Sequence, residues 1–260
     1  MGEADSAPSI LSKAFELLRS FNSNERVMTL TELSAASGLA KSTVHRLLAR
    51  LIDLGAIEHH RGGYKIGIEI FRLGVTTPAA GMRDTAISHL AALHRLTGHT
   101  VHLGILRGYD VVFLERLSIS TTLSALSGVG GRLPANCTAL GKAILAYEDP
   151  ADLESFLPNP MRRMTAASVT DPSVLVAQLA DVRRTGLARE RGEFQPGLAC
   201  TAAPLVINGL AVGAISVSVP GAAVLEPRSE AALRETATLI DRELCARLAE
   251  GRSHWFPRDF

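Results

Sequence analysis

Cysteine, net charge and long apolar runs are all scarce in this chain, and each shortage removes a class of function. The three cysteines, Cys137, Cys200 and Cys245, are odd in number and far apart. None belongs to a C-x-x-C pair, so neither a metal clasp nor a dithiol couple is on offer, and a reducing cytosol is the expected compartment. Lys and Arg number 27 against 26 Asp and Glu, a formal net charge of +1. Affinity for nucleic acid must then come from a local arrangement, not from bulk charge. The most apolar stretch, Gly209 to Leu225, is broken by Ser216, Ser218 and Pro220 and alternates as a strand does. It lacks the roughly 18 uninterrupted apolar residues of a membrane helix, so no membrane partner is expected. The first six residues, Met1 to Ser6, carry Glu3 and Asp5 where a secretory signal would be basic, which implies no export and a cytoplasmic protein.

What is present is an ordinary folding composition, 47% hydrophobic and 20% charged, which excludes pervasive disorder and a fibrous repeat. At about 150 residues per domain, 260 residues suggest two. The first 76 residues hold nine basic and eight acidic side chains, so their total is near neutral. Within them, however, Lys41 to Lys65 gathers Lys41, Arg46, Arg50, Arg61 and Lys65 against only Asp53 and Glu58. A basic island sits inside a neutral domain.

Leu11, Phe15, Leu18 and Phe21 recur at helical spacing and predict a first helix from about Ser9 to Phe21. Thr29-Leu-Thr-Glu32 is a capping box that starts a second, and Gly38 ends it. A third starts near Lys41, buries Val44, Leu47, Leu48 and Leu51, and stops at Gly55. Ala56 to His60 and Tyr64 to Ile66, joined by Arg61-Gly62-Gly63, read as a hairpin. Thr76 to Gly81 reads as a hinge, followed by an amphipathic helix through Ile87, Leu90, Leu93 and Leu96 that would link two domains.

Beyond it the texture becomes β-rich. Val101 to Leu106 and Val111 to Leu117 flank a turn at Arg107 to Asp110. Ala199 to Ile207 pairs with Leu210 to Val219 across Asn208-Gly209, a strong hairpin signal. Helices are expected over Cys137 to Tyr147, Pro172 to Arg184 and Arg228 to Leu248. The whole is an α+β chain with domains at 1–76, 77–98 (the linker helix) and 99–260.

Helix, glycine-containing turn and helix is the helix-turn-helix order, whose second helix enters the major groove. With its apolar side turned inward, the third helix leaves Lys41, Ser42, Thr43, His45, Arg46 and Arg50 outward. Ser42, Thr43 and His45 lie where base edges are reached, and Arg46 suits a bidentate contact to guanine. Lys41 and Arg50 suit phosphates. The hairpin tip Arg61 serves as a wing, supported by Lys65. His59 and His60 lack the partners that a metal site needs, so no metal is expected.

These residues resemble a known family. Leu39-Ala-Lys-Ser-Thr-Val-His-Arg-Leu-Leu48, Leu54-Gly-Ala-Ile57 and Gly63-Tyr-Lys-Ile-Gly67 are similar to the winged helix-turn-helix of IclR-type bacterial transcriptional regulators. The resemblance continues through Gly130 to Pro134, Thr138 to Ala143, Thr170 to Pro172, Gly197 to Pro204 and Ala214 to Ser218. It implies a GAF-like C-terminal domain, an antiparallel sheet with flanking helices, that holds a small organic effector. Carried over, the effector site would be lined by Ala139, Leu140, Glu190, Cys200, Ser216 and Ser218. Backbone amides at the helix start would favour an anionic group, and Ser216 and Ser218, two apart, share a strand face. The chain departs from the family pattern at Asn136-Cys137, often His-Ala, and at Glu190, where aspartate is familiar. Effector identity therefore does not transfer. The resemblance also implies a homodimer or a dimer of dimers on a double-stranded DNA operator, with no cofactor, and leaves repressor or activator open.

The competing reading is a small-metabolite enzyme with a docking module in front. Gly141-Lys142 suggests a phosphate loop, but Ala143 stands where magnesium needs Ser or Thr, and Asn136 where a glycine is required. A Cys200 nucleophile would need a base, and nothing in the sequence pairs it with His89, His94, His99, His102 or His254. Cys137, at an expected helix start, has the placement of a low-pKa redox sensor. The weight of the sequence falls on a regulator, not an enzyme.

Overall fold

The computed structural model describes residues 9–21, 26–118, 125–149, 153, 157–221 and 224–250. The acidic start Met1 to Ser6 and His254 lie outside them. Contacts divide the chain into two units, Met1–Thr77 and Pro78–Phe260.

In the first unit, α1 (Ile10–Arg19), α2 (Leu30–Ser37) and α3 (Lys41–Asp53) are followed by the hairpin β1 (Ile57–His60) and β2 (Gly63–Ile66) and by α4 (Ile68–Gly74). The capping box forms: Glu32 accepts the Thr29 amide at 2.7 Å and Thr29 Oγ1 accepts the Glu32 amide at 3.3 Å. Gly38 terminates α2 with φ +68°, a left-handed conformation that costs glycine little. Val44, Leu47, Leu48 and Leu51 are buried against Leu17, Met28, Leu33 and Ile57, as the spacing of α3 required. Met28 exchanges backbone hydrogen bonds with Tyr64 at 2.9 and 2.8 Å, tying the hairpin to the chain before α2. The face expected of α1 is rotated. Leu17 is fully buried and Ala14, Leu18 and Phe21 pack beside it, while Leu11 and Phe15 are exposed.

In the second unit, six antiparallel strands run in the order β5-β4-β3-β8-β7-β6. They are β3 (Thr100–Arg107), β4 (Asp110–Leu117), β5 (Arg132–Pro134), β6 (Ala188–Arg191), β7 (Leu198–Ile207) and β8 (Leu210–Pro220). The β7–β8 turn sets Asn208 at φ +52° and Gly209 at +82°, the tight turn that Asn-Gly announces. Helices α5 (Pro78–Thr97) and α8 (Pro227–Ala249) cover one face, burying Leu90, Leu93, Leu233 and Ile240 against Leu103, Leu205, Ile215 and Val217. Helices α6 (Ala139–Leu145) and α7 (Pro172–Thr185) cover the other, with Leu140, Ile144 and Leu179 against Val111, Ala202 and Ala214. The result is the expected antiparallel sheet with flanking helices.

Two expectations need correction. Residues 78–81 are no hinge: Pro78 opens α5, a position where its missing amide costs nothing. The buried stripe of α5 is Met82, Thr85, Ala86, Leu90 and Leu93, and Leu96 is exposed. The short elements α4, β5 and β6 had no counterpart in the sequence reading.

Candidate functional site

Two features carry chemistry, one in each unit. On α3 the apolar residues turn inward, and Lys41, Ser42, His45, Arg46 and Arg50 are exposed with Thr43 half-buried. Arg50 lies 3.6 Å from Asp53, an exposed pair of little energetic weight. Lys65 is held 3.0 Å from Glu58, whose carboxyl is pulled below its ordinary range first by the Ile68 amide and then by Lys65. Lys41, Arg46 and Arg61 form no ion pair among the described residues. Arg61 sits at the hairpin tip with φ +46°, an unusual backbone for a side-chain-bearing residue, beside Gly62 at +80°. His59 stacks at a tilt on Tyr64, ring centroids 5.0 Å apart, and no group of three or more metal-ligating side chains occurs among the described residues.

In the second unit the sheet face beneath α6 is paved with small residues, Gly104, Ala202 and Ala214. A Cβ on Gly104 would lie 2.8 Å from Val111 and 3.2 Å from Leu140, so the helix packs close there. Beside that contact the face becomes polar and a cavity opens, about 380 Å³ with its mouth included. All six residues expected of an effector site, Ala139, Leu140, Glu190, Cys200, Ser216 and Ser218, line it. The sequence reading missed seven other lining residues, among them His102, Phe113, Phe194 and Leu198. A signal for His102 was available: Val101, Leu103 and Ile105 alternate toward the α5–α8 face, which turns His102 to the opposite side.

Glu190 and Cys200 are cross-strand partners, as are Cys200 and Ser218. Burial pushes the Glu190 carboxyl above its usual range, opposed by bonds from the Cys200 thiol and the Glu193 amide. Burial first, then the nearby Glu190 charge, pushes the Cys200 thiol well above its ordinary value. That is the reverse of an activated nucleophile. His102, 4% exposed, is depressed to about 3 by burial and then by Arg116, so it stays neutral. The Phe113 ring meets it edge-on at 5.2 Å.

Helix α6 has only seven residues, and Thr138 Oγ1 accepts the Gly141 amide at 3.0 Å. Among the described residues no Lys or Arg lines the cavity, so the anion preference expected from this helix start is backed by no cation in the lining itself. Lys142 is fully buried behind the lining, its Nζ donating to both Glu193 oxygens at 2.6 and 2.7 Å. The lysine of the failed phosphate loop thus anchors the segment that carries Phe194. Asn136 donates to the Arg162 and Val169 carbonyls at 2.8 and 2.7 Å. Cys137 is buried and its thiol is pushed up by burial, contrary to a low-pKa redox sensor.

Residues 10–61 match the IclR helix-turn-helix domain and residues 76–242 the bacterial transcriptional regulator IclR C-terminal domain. The chain belongs to the IclR family of bacterial transcriptional regulators. Among its IclR relatives, the HTH-type transcriptional regulator XynR of Escherichia coli is 30% identical over 89% of this chain and 95% of its own. The HTH-type transcriptional regulator BhcR of Paracoccus denitrificans is 36% identical over 74% of this chain and 71% of its own. An IclR homolog of Microbacterium hydrocarbonoxydans, solved in complex with 4-hydroxybenzoate, superposes with TM-score 0.82 at 29% identity, covering 92% of this chain and all of the other. As an IclR regulator this chain pairs a DNA-binding helix-turn-helix with an effector-binding C-terminal domain. No helix among the described residues is long and apolar enough to cross a membrane.

Proposed function

We propose that α3 reads DNA through Ser42, Thr43, His45 and Arg46, with Lys41 and Arg50 on phosphates and Arg61 as the wing contact. The observation that carries this reading is the division of α3 into a buried apolar side and an exposed side whose Lys41 and Arg46 form no ion pair among the described residues. Lys65, neutralised by Glu58, supports the hairpin more than it attracts phosphate. The effector is held in the cavity by Ala139, Leu140, Glu190, Cys200, Ser216 and Ser218, and its binding changes operator affinity only insofar as it favours one arrangement of the two units. A homodimer in the cytoplasm presents two α3 helices to a pseudo-palindromic operator, because one module contacts too few base pairs for genomic selectivity. The second unit is read as a sensor without turnover, since its cavity thiol is the opposite of an activated one.

A mobility-shift titration of the whole protein against DNA flanking its own gene tests this. Specific retardation that falls steeply with salt is expected, as counterions released from phosphates require. Absence of retardation at low salt contradicts the reading.

A further inference from the structure

Lys142 is fully buried, yet it lies behind the cavity and not in its lining. Its Nζ donates to both Glu193 oxygens at 2.6 and 2.7 Å. A buried pair of this kind seldom adds stability over apolar side chains of equal size, and its best-attested use is to select one conformation. Here it joins two walls of the cavity. One is the start of α6, where Ala139 and Leu140 line the cavity and a Cβ on Gly141 would collide with the Ala135 carbonyl, so the helix is packed hard against the turn before it. The other is the β6–β7 connection, residues 192–197, whose end glycines sit at φ +64° and +74°. Glu193 is held there at every polar group. Its amide donates to Glu190 at 3.0 Å, its carbonyl accepts Ser168 Oγ at 2.7 Å and Thr165 Oγ1 at 3.2 Å, and its carboxylate takes Lys142. Phe194, the next residue, is half-buried and lines the cavity, while Pro196 and Gly197 beyond it are exposed.

We propose that Lys142 is a positioning residue for ligand recognition, holding residues 192–197 through Glu193 as a closed strap that keeps Phe194 against the cavity. Two backbone bonds mark the closed form: the Gly192 amide donates to the Leu198 carbonyl at 2.7 Å, and the Leu198 amide to the Gln195 carbonyl at 3.2 Å. Lys142 touches no ligand in this role. It sets the fraction of molecules in which the cavity has its Phe194 wall, and apparent affinity scales with that fraction. The inference rests on the cavity being the effector site.

The test uses the full chain and the double variant Lys142→Met/Glu193→Met, which replaces the ion pair with apolar side chains of similar length and leaves neither charge behind. A merely structural pair is made good by that exchange; a positioning pair is not. Hydrogen exchange, read by mass spectrometry, is expected to quicken about tenfold or more over residues 192–198 and to stay unchanged over the β7–β8 hairpin beyond them. Fluorobenzene, which has no strong hydrogen-bonding group and so reads the apolar walls, is titrated by fluorine NMR. It is expected to bind the variant about tenfold more weakly, as a closed fraction cut to about one tenth requires. Unchanged exchange over the strap, equal affinity in the two proteins, or no binding to the wild type overturns the proposal. Should the double variant not fold, Glu193→Asp keeps the charge and withdraws the carboxylate by one methylene. It is expected to move both readouts in the same direction, and its failure to do so overturns the proposal equally. Weakened fluorobenzene binding, with operator affinity the same whether the cavity is empty or filled, upholds the role of Lys142 and counts instead against the cavity as effector site.

Discussion

The outward side of α3 and the cavity of the second unit solve opposite problems with similar side chains. On α3, Lys41 and Arg46 stand in water with no ion pair among the described residues, Arg50 has only the exposed Asp53 beside it, and these cations carry little energy until a polyanion arrives. In the cavity, Glu190 accepts the Glu193 amide, Cys200 bonds to Ser218 and Ser218 to His102, while His102 Nε2 finds no partner among the described residues. On the proposed reading the first surface gains affinity by number of charges and specificity by geometry, and the second selects by the match between a ligand and a few buried polar groups.

The sharpest way to break this comparison is to unfold one side of it. Leu48→Asp places a charge in the core of the first unit, where Leu48 is 1% exposed. A loss above about 4 kcal/mol is expected, with DNA binding abolished. Calorimetry should still show the transition of the second unit, because the two have separate cores. A single transition lost altogether would mean that the units are not separate.

Filling the cavity is the converse. Ser218→Leu should cost about 1–3 kcal/mol by overpacking and abolish the response to ligand, with operator affinity unchanged in a mobility shift. Unchanged ligand affinity would remove Ser218 from the site.

The pH response sharpens the contrast further. Burial raises Asp241 of α8 to about 7, although its carboxylate accepts the Val206 amide at 3.0 Å. A carboxyl whose folded pKa exceeds its unfolded value of about 3.9 binds the proton more tightly when folded, so stability falls as pH rises from about 4 to 7. Asp241→Asn keeps the acceptor and removes the charge. It should stabilise the second unit at pH 8 by up to about 2 kcal/mol after allowing for partial exposure, read as a higher melting temperature, and change little at pH 4. Equal shifts at both pH values would contradict the assignment.

The smallest effect is expected at the wing. Arg61→Gly relieves a positive φ, worth about 1 kcal/mol of stability, and at the same time weakens operator binding by one phosphate-sized increment. A variant that is both less stable and equally tight on DNA would place Arg61 outside the interface.

Legibility followed the same divide. The inward row of α3 and the capping box were readable because a 3.6 period and a local cap leave their mark within a dozen residues. The rotation of α1 was not, since Leu11 and Phe15 satisfy the same spacing as Leu17 and only tertiary contacts choose between them. Strand β5 has three residues, too few to show alternation, and β6 alternates in burial but turns Ala188 and Glu190 inward, which leaves no apolar period in its sequence. The six carried-over residues converge on one cavity, yet His102 joins them through strand pairing more than a hundred positions away, which no local pattern encodes. Lys142 looked like the remnant of a phosphate loop because its partner Glu193 lies 51 positions away in sequence.

The central claim is that α3 reads bases, and Arg46 tests it most directly. Affinities of the wild type and Arg46→Ala should be measured by anisotropy across a set of operators, each altered at one base pair. A loss of about 1–3 kcal/mol with discrimination flattened at a single position is predicted. A loss spread evenly over every operator, or no loss at all, would contradict it.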